Sequence, residues 1–328
     1  MYISCDVSFS RCASPADWRQ RREARRETQA DSDNPTRRLA RALAEKGVDG
    51  RVRWHVYTER DLIRAYPALV ALARTPPLPA VFEKAASEHK PRSLAWGFHA
   101  EAINCWFQAL PPATKAAYEY VWVLEDDVGY TGNIAELVAS YAAADAAAAA
   151  GAGGAGAGAS ASTSMDVDAG ASAAAGACTP PSWQHGPQGG ADLLTWGSGP
   201  GNRPHPTGAR WYWKDVVSPG FEKLVPPASR CCNSEHCQRF SARLLDTLHA
   251  ASSGDGAGAG AAGAAIAWSE QSVPSICKTA GLQIAPFREE HIGHPFSWDG
   301  RISETEWNRL RLGKSLRTKG KLFHALKF

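Results

Sequence analysis

Tyr118-Glu119-Tyr120-Val121-Trp122-Val123-Leu124-Glu125-Asp126-Asp127-Val128 is the stretch that decides the fold. From Tyr118 to Leu124 aromatic and β-branched residues form a nearly continuous apolar run, which reads as a central strand buried on both faces. Three consecutive acids end it. Open α/β sheets bind ligands at the C-terminal ends of their strands, so the acids stand where a site would be. A turn at Gly129 to Gly132 follows, and Ile134 to Tyr141 reads as an amphipathic helix. Three adjacent carboxylates repel one another. A bound divalent cation removes that cost, and Mn²⁺ and Mg²⁺ both accept oxygen ligands. The plainer reading is an acidic turn that only terminates the strand.

Working outward, strand-like and helix-like segments alternate. Residues 2–7 read as a strand. The stretch from Ser14 to Asn34, with Arg19, Arg21, Arg22, Arg25 and Arg26, reads as a solvated helix or loop. Pro35 opens a helix with Leu39 and Leu43 on one face, and Gly47 ends it. Val52, Trp54 and Val56 alternate with polar neighbours, as a half-buried strand does. Thr58 caps a helix from Glu59 to Leu72, with Leu62, Ile63, Tyr66 and Leu69 as its apolar face. Leu94 to Phe107 reads as a further helix. Beyond the acids come a strand at Ala191 to Trp196, a helix at Phe240 to Ala250, and a helix from Ser269 toward Lys278 with Gly281 after it. Strands that alternate with helices argue for a largely parallel sheet.

The chain has 328 residues, of which 44% are hydrophobic and 21% charged, with a net charge of +3. That is too weakly basic to single out a nucleic-acid partner. No apolar run approaches the ~18 to 20 residues of a membrane span. Twelve Trp, 10 Phe and 8 Tyr need a core and argue against full disorder. Ala142 to Cys178 and Ser252 to Ala265 are almost all Ala, Gly and Ser, with little to bury, and read as disordered insertions. Removing both leaves about 270 residues, suited to one α/β domain. Cys5, Cys12, Cys105, Cys178, Cys231, Cys232, Cys237 and Cys277 are too scattered to decide the redox compartment. A strand at the very start leaves no room for a leader, so the chain reads as beginning inside the domain. On that expectation the protein belongs to the Golgi or secretory pathway if an N-terminal anchor precedes it, and to the cytoplasm otherwise.

Leu124-Glu125-Asp126-Asp127-Val128 and the helix that follows resemble the metal motif of GT-A fold glycosyltransferases. The likeness is to families that use Glu-Asp-Asp in place of Asp-X-Asp, such as the N-acetylglucosaminyltransferase I type, and it covers about 20 residues. It implies a GT-A-like three-layer α/β/α fold with a mostly parallel central sheet, interrupted by the disordered Ala/Gly-rich insertions. A single domain would span 1–328, with a nucleotide-sugar-binding half at 1–141, an insertion at 142–190, an acceptor-binding half at 191–251 and 266–328, and a second insertion at 252–265. The implied activity is metal-dependent transfer of a hexosyl or N-acetylhexosaminyl group from a nucleotide-sugar to a glycan or glycoconjugate hydroxyl, with no nucleic-acid partner. Asp127 would hold the Mn²⁺ (or Mg²⁺), with Asp126 close by and near the donor sugar, and Glu125 near the donor ribose. Asp6, ending the first strand, reads either as a donor contact or as an ordinary strand-end Asp.

Several GT-A families take a late histidine as a further metal ligand. The loop His291-Ile292-Gly293-His294 offers two, of which His294 is the candidate here. Glu270, in the first turn after Trp268, is the candidate base for the acceptor hydroxyl; the same acid also suits a helix N-terminus on electrostatic grounds. Lys90, Arg92 and Trp96 precede a helix start suited to a phosphate, and His99 and Glu101 lie on that helix. Trp211-Tyr212-Trp213-Lys214-Asp215 reads as a sugar-stacking patch or as core. Cys231, Cys232, His236 and Cys237 lack the spacing of a zinc site and leave a disulfide or free thiols open. The basic tail from Lys314 to Lys327 reads as a solvated end or as a cover over donor phosphates. Two other function classes compete: a non-catalytic carbohydrate- or nucleotide-sugar-binding relative, and a metal-dependent phosphohydrolase using Asp126 and Asp127.

Overall fold

The computed structural model describes residues 2–6, 41, 44, 45, 47, 53–87, 93–125, 127–153, 190–196, 205, 206, 211–254, 263–296, 301–313 and 318–326. Asp126, the arginine run at 19–26, most of the helix expected after Pro35, Lys90, Arg92, Asp299, residues 154–178 of the first Ala/Gly-rich stretch, 255–262 of the second, and 314–317 and 327 of the basic tail lie outside the described residues.

The protein is mixed α/β. Its strands are β1 (Tyr2–Asp6), β2 (Arg53–Tyr57), β3 (Tyr120–Leu124), β4 (Gly129–Tyr130), β5 (Leu193–Trp196), β6 (His205–Pro206), β7 (Cys231–Cys232), β8 (Ser234–Ser241), β9 (Ile284–Pro286), β10 (Ile292–Phe296) and β11 (Leu322–His324). The helices that matter for the site and its supports are α1 (Glu59–Ala65), α2 (His99–Gln108), α3 (Ile134–Gly153), α4 (Ala242–Ser253) and α5 (Ser269–Thr279). Among the described residues, no helix is long and apolar enough to cross a membrane. The chain folds as two compact units.

The first unit comprises Met1–Ala117, Arg210–Leu224 and Leu248–Ser269. Here β1 pairs in parallel with β2, which sets Asp6 opposite Tyr57. Thr58 caps α1 as expected. Its hydroxyl accepts from Asp61 N at 3.2 Å, and its own N–H donates to the Asp61 carboxylate at 2.9 Å. Those bonds from Thr58 hold the Asp61 carboxyl below its usual range. Thr58→Ala removes the cap and is expected to cost about 1 kcal/mol, measured as a lower urea midpoint with an unchanged slope.

The helix expected to reach Leu72 breaks after Ala65. Pro67 disfavours helical geometry for Tyr66, which sits at φ −134° and ψ 77°, and a short helix resumes at Leu69–Leu72. The helix expected from Leu94 also divides, into a 3₁₀ turn at Leu94–Trp96 and then α2. Gly97 lies at the break, against the Trp268 ring, where any Cβ would overlap the indole. Trp268 in turn stacks on Trp213 with ring centres 3.8 Å apart and planes 3° apart. The Trp211–Trp213 patch is therefore largely core, packed with Phe98, Ile266 and Trp268, while Tyr212 remains exposed. Glu101 is buried and accepts from Ser252 Oγ at 2.8 Å, and the Tyr66 hydroxyl meets His249 Nδ1 at 2.9 Å.

The second unit comprises Tyr118–Ala209, Val225–Thr247 and Glu270–Phe328. Its main sheet has the order β3-β8-β5-β9. The pairs β3/β8 and β8/β5 are antiparallel and only β5/β9 is parallel, so the sheet is mixed and not mostly parallel. Nor is β3 central. It ends the sheet, with Val121 buried, Trp122 half-buried and Leu124 exposed. An aromatic strand can fill an edge position because its rings cover surface without full burial. Trp122 packs edge-on to Tyr141 at 5.4 Å and against Phe287 at 5.8 Å, and Tyr120 lies under the Arg239 guanidinium at 3.9 Å.

Two further departures concern helix ends. Phe240, expected to open a helix, belongs to β8. Ser241 ends the strand and turns the chain, its hydroxyl accepting from Leu244 N at 3.0 Å at the start of α4. The first Ala/Gly-rich stretch, expected to be disordered from Ala142, continues α3 to Gly153. Alanine is the best helix former, and Asp145 within that extension meets the buried Arg239 at 2.6 Å. By contrast, α5 runs close to its expected bounds, and Gly281 beyond it takes φ +67°.

Candidate metal centre

The end of β3 is held by backbone before any side chain acts. The antiparallel register sets Leu124 opposite Cys237, and Glu125 N donates to His236 O at 3.0 Å. Side chains alternate along a strand, so His236 and Cys237 leave β8 on opposite faces. His236 Nδ1 lies 2.8 Å from Glu125 Oε2. A third group arrives from the C-terminal part of the chain. β11 pairs in parallel with β10 and antiparallel with β4, the strand just beyond the acids. Gly129 on β4 is pressed against Trp307 and Leu326, leaving no room for a Cβ. Leu326 N donates to Asp127 O at 2.9 Å, and Thr131 N to Lys321 O at 3.0 Å. Lys321 also spans to β10, its ammonium donating to the carbonyls of Glu290 and Ile292 at 3.0 and 3.1 Å.

This pairing delivers His324. Its Nε2 lies 3.2 Å from Asp127 Oδ1 and 3.6 Å from Glu125 Oε2. The rings of His236 and His324 stack with centres 3.4 Å apart and planes 15° apart, with Phe296 edge-on to both. Glu125, His236 and His324 each offer a ligand atom within 4.8 Å of the others. Two imidazoles and a carboxylate, with the Asp127 carboxylate also beside His324 Nε2, make a donor set that fits a divalent metal ion. Cys237 does not join it. Burial, with the nearby Glu125 charge adding to it, pushes the thiol well above its usual range and keeps it protonated.

The other described site residues are not among the grouped ligands. Asp6 ends β1 in the first unit. His294 is exposed on β10 and outside the cluster. Its neighbour His291 instead meets the Tyr141 hydroxyl at 3.0 Å, and burial lowers its pKa. Glu270 stands half-buried in the first turn of α5, its carbonyl accepting from Asn233 N at 3.0 Å, three residues before His236 on the same run of chain. Asp215 pairs with Lys214 at 2.6 Å. Glu125, which the resemblance gave to the donor ribose, is engaged with both imidazoles. Cys231 is disulfide-bonded, while Cys232 and Cys237 are buried and outside any disulfide.

Sequence reasoning weighed His236 only with its neighbouring cysteines, as a zinc group of the wrong spacing, and passed over His324. His236 stands among cysteines, which drew attention to thiol chemistry. His324 had a visible signal in Leu322-Phe323-His324, a short apolar island within the basic tail. Comparison with protein-family models, curated proteins and solved structures finds no match to this chain.

Proposed function

We propose that the chain is a metal-dependent glycosyltransferase that moves a sugar from a nucleotide-sugar donor to a hydroxyl acceptor, on a GT-A-like arrangement of layers. One observation carries the reading: Glu125 and Asp127, just beyond β3, gather with a histidine from the C-terminal part of the chain, His324, which lies 3.2 Å from Asp127. The resemblance at Leu124 to Val128 implies that combination of a strand-end acid and a late histidine. In this reading His324 fills the role expected of His294.

A bound Mn²⁺ or Mg²⁺ would supply positive charge to the diphosphate as it leaves. Glu125 and His324 would hold that ion, with the Asp127 carboxylate beside His324 Nε2 adding negative charge to the site. Asp126 would face the donor sugar, as the resemblance implies. Glu270 would accept the proton of the acceptor hydroxyl. Its carbonyl accepts from Asn233 N, three residues before His236 in the chain.

Thermal unfolding of the metal-free protein with a panel of nucleoside diphosphates tests the reading. A ligand at 100 times its Kd stabilises the native state by about 2.7 kcal/mol. The expected result is a raised Tm with one nucleotide class, only when Mn²⁺ is present, and its loss in Asp127→Asn. No shift with any nucleotide in the presence of Mn²⁺ would overturn it, and release of phosphate from simple esters would favour a hydrolase.

A further inference from the structure

The GT-A resemblance supplies its metal with one late histidine, whereas the described structure brings two imidazoles to the same carboxylate. We propose that His236 is a direct metal ligand. The centre is then a two-imidazole, one-carboxylate site of Glu125, His236 and His324, which takes a borderline transition-metal ion in preference to Mg²⁺ or Ca²⁺ and holds it without nucleotide. The inference rests on the reading of this cluster as the enzyme's metal centre.

The backbone argues for it first. Glu125 and His236 are joined by the hydrogen bond that continues the β3/β8 ladder, so their proximity does not depend on long, mobile side chains. Side-chain geometry adds to this. His236 Nδ1 and His324 Nε2 both approach Glu125 Oε2, at 2.8 and 3.6 Å. Two nitrogens aimed at one oxygen mark the place where a cation bonded at roughly 2.0–2.2 Å to each donor would replace these contacts. The stacked rings present their edges together, and both are largely buried, so little rotamer freedom remains to be lost on binding.

The donor set then decides the ion. Imidazole suits Zn²⁺, Co²⁺, Ni²⁺ and Fe²⁺, while Mg²⁺ and Ca²⁺ require nearly complete oxygen shells. With two of three donors nitrogen, the discrimination runs against the hard cations. The rival arrangement keeps His236 outside the coordination shell as a hydrogen-bond partner that only orients Glu125. The two arrangements differ in how many nitrogens touch the ion.

Co²⁺ titration of the chelator-stripped protein, followed by visible absorption and without nucleotide, gives the affinity and the ligand field together. His236→Gln is expected to weaken Co²⁺ binding by at least about 10- to 100-fold, the loss that even outer partners of a metal site produce, and to change the absorption band. Mg²⁺, measured by competition, should change far less. An unchanged absorption band overturns the proposal whatever the affinity, because an outer partner of the site also weakens binding. Should His236→Gln fail to fold, the unmutated protein still answers: pulsed EPR of the Mn²⁺ or Cu²⁺ form, with and without ¹⁵N-histidine, should show two coupled imidazole nitrogens, and one alone overturns the proposal. Calorimetry with uridine, guanosine and cytidine diphosphates separates the two readings. Two nitrogens without nucleotide binding uphold the ligand set and overturn glycosyl transfer. Nucleotide binding with a single nitrogen overturns the ligand set and leaves glycosyl transfer standing.

Discussion

If the proposed glycosyl transfer is the activity, Glu270→Gln is expected to bind metal and donor normally and to transfer sugar about 10²- to 10⁴-fold more slowly, the usual contribution of a general base. Glutamine keeps the shape and hydrogen-bonding reach of glutamate but cannot take the acceptor's proton. Glu270 lies in the first turn of α5, where a negative charge stabilises the helix by about 0.3–1 kcal/mol, so the variant should remain folded. The backbone link from Asn233 to the Glu270 carbonyl does not involve the side chain and survives the change. Asp127→Asn should behave in the opposite way and lose Mn²⁺-dependent nucleotide binding, because Asp127 faces His324 at the metal-capable cluster. Single-turnover rates at saturating acceptor, beside donor affinities from calorimetry, separate the step that moves the proton from the assembly of the site. A full transfer rate in Glu270→Gln would remove Glu270 from the mechanism and move the search to Asp215 or Asp299.

What the sequence made legible was local. The Thr58–Asp61 cap follows from residue types three apart. The bounds of α5 follow from a polar first turn and a glycine two residues past the end, where φ is +67°. The strand after Tyr118 was equally plain, but its neighbours were not. Val121 to Leu124 would look the same at the centre of a parallel sheet or at the edge of a mixed one, since an apolar run reports burial and not the direction of its partner. The metal-capable cluster divides along the same line. Glu125 and Asp127 stood out because three acids ended a strand. His236 and His324 come from segments more than a hundred residues away, and His324 is placed by β11, three residues long and too short for periodicity to show. A late histidine was expected from His291-Ile292-Gly293-His294 because that loop displays two. The pairing of β11 between β10 and β4 brings a different one.

Asp145→Ala is expected to destabilise the second unit by about 3–5 kcal/mol, the cost of leaving a buried charge without its partner. Composition gives no hint of this, since Asp145 is surrounded by alanine. Yet its carboxylate takes Arg239 Nη1 at 2.6 Å and Gly190 N at 2.7 Å, so one side chain joins α3, the strand β8 and the return of the chain toward β5. The Arg239 side chain is 1% exposed. Its remaining contacts, the Ala191 carbonyl at 3.0 Å and the Tyr120 ring, do not neutralise it. Asp145→Asn keeps the acceptor oxygen and should lose less. Arg239→Met with Asp145→Leu removes both charges and should recover much of the loss, because a pair of apolar groups leaves nothing buried and unpaired. Urea denaturation of Arg239→Met, Asp145→Leu and the double variant gives the coupling directly. Because Arg239 lies three residues beyond His236 on β8, the single variants should also weaken Co²⁺ binding by loosening the strand, and the double variant should restore it along with stability. A cost below 1 kcal/mol for Asp145→Ala would mean that Asp145 does not tie the Ala-rich end of α3 to β8.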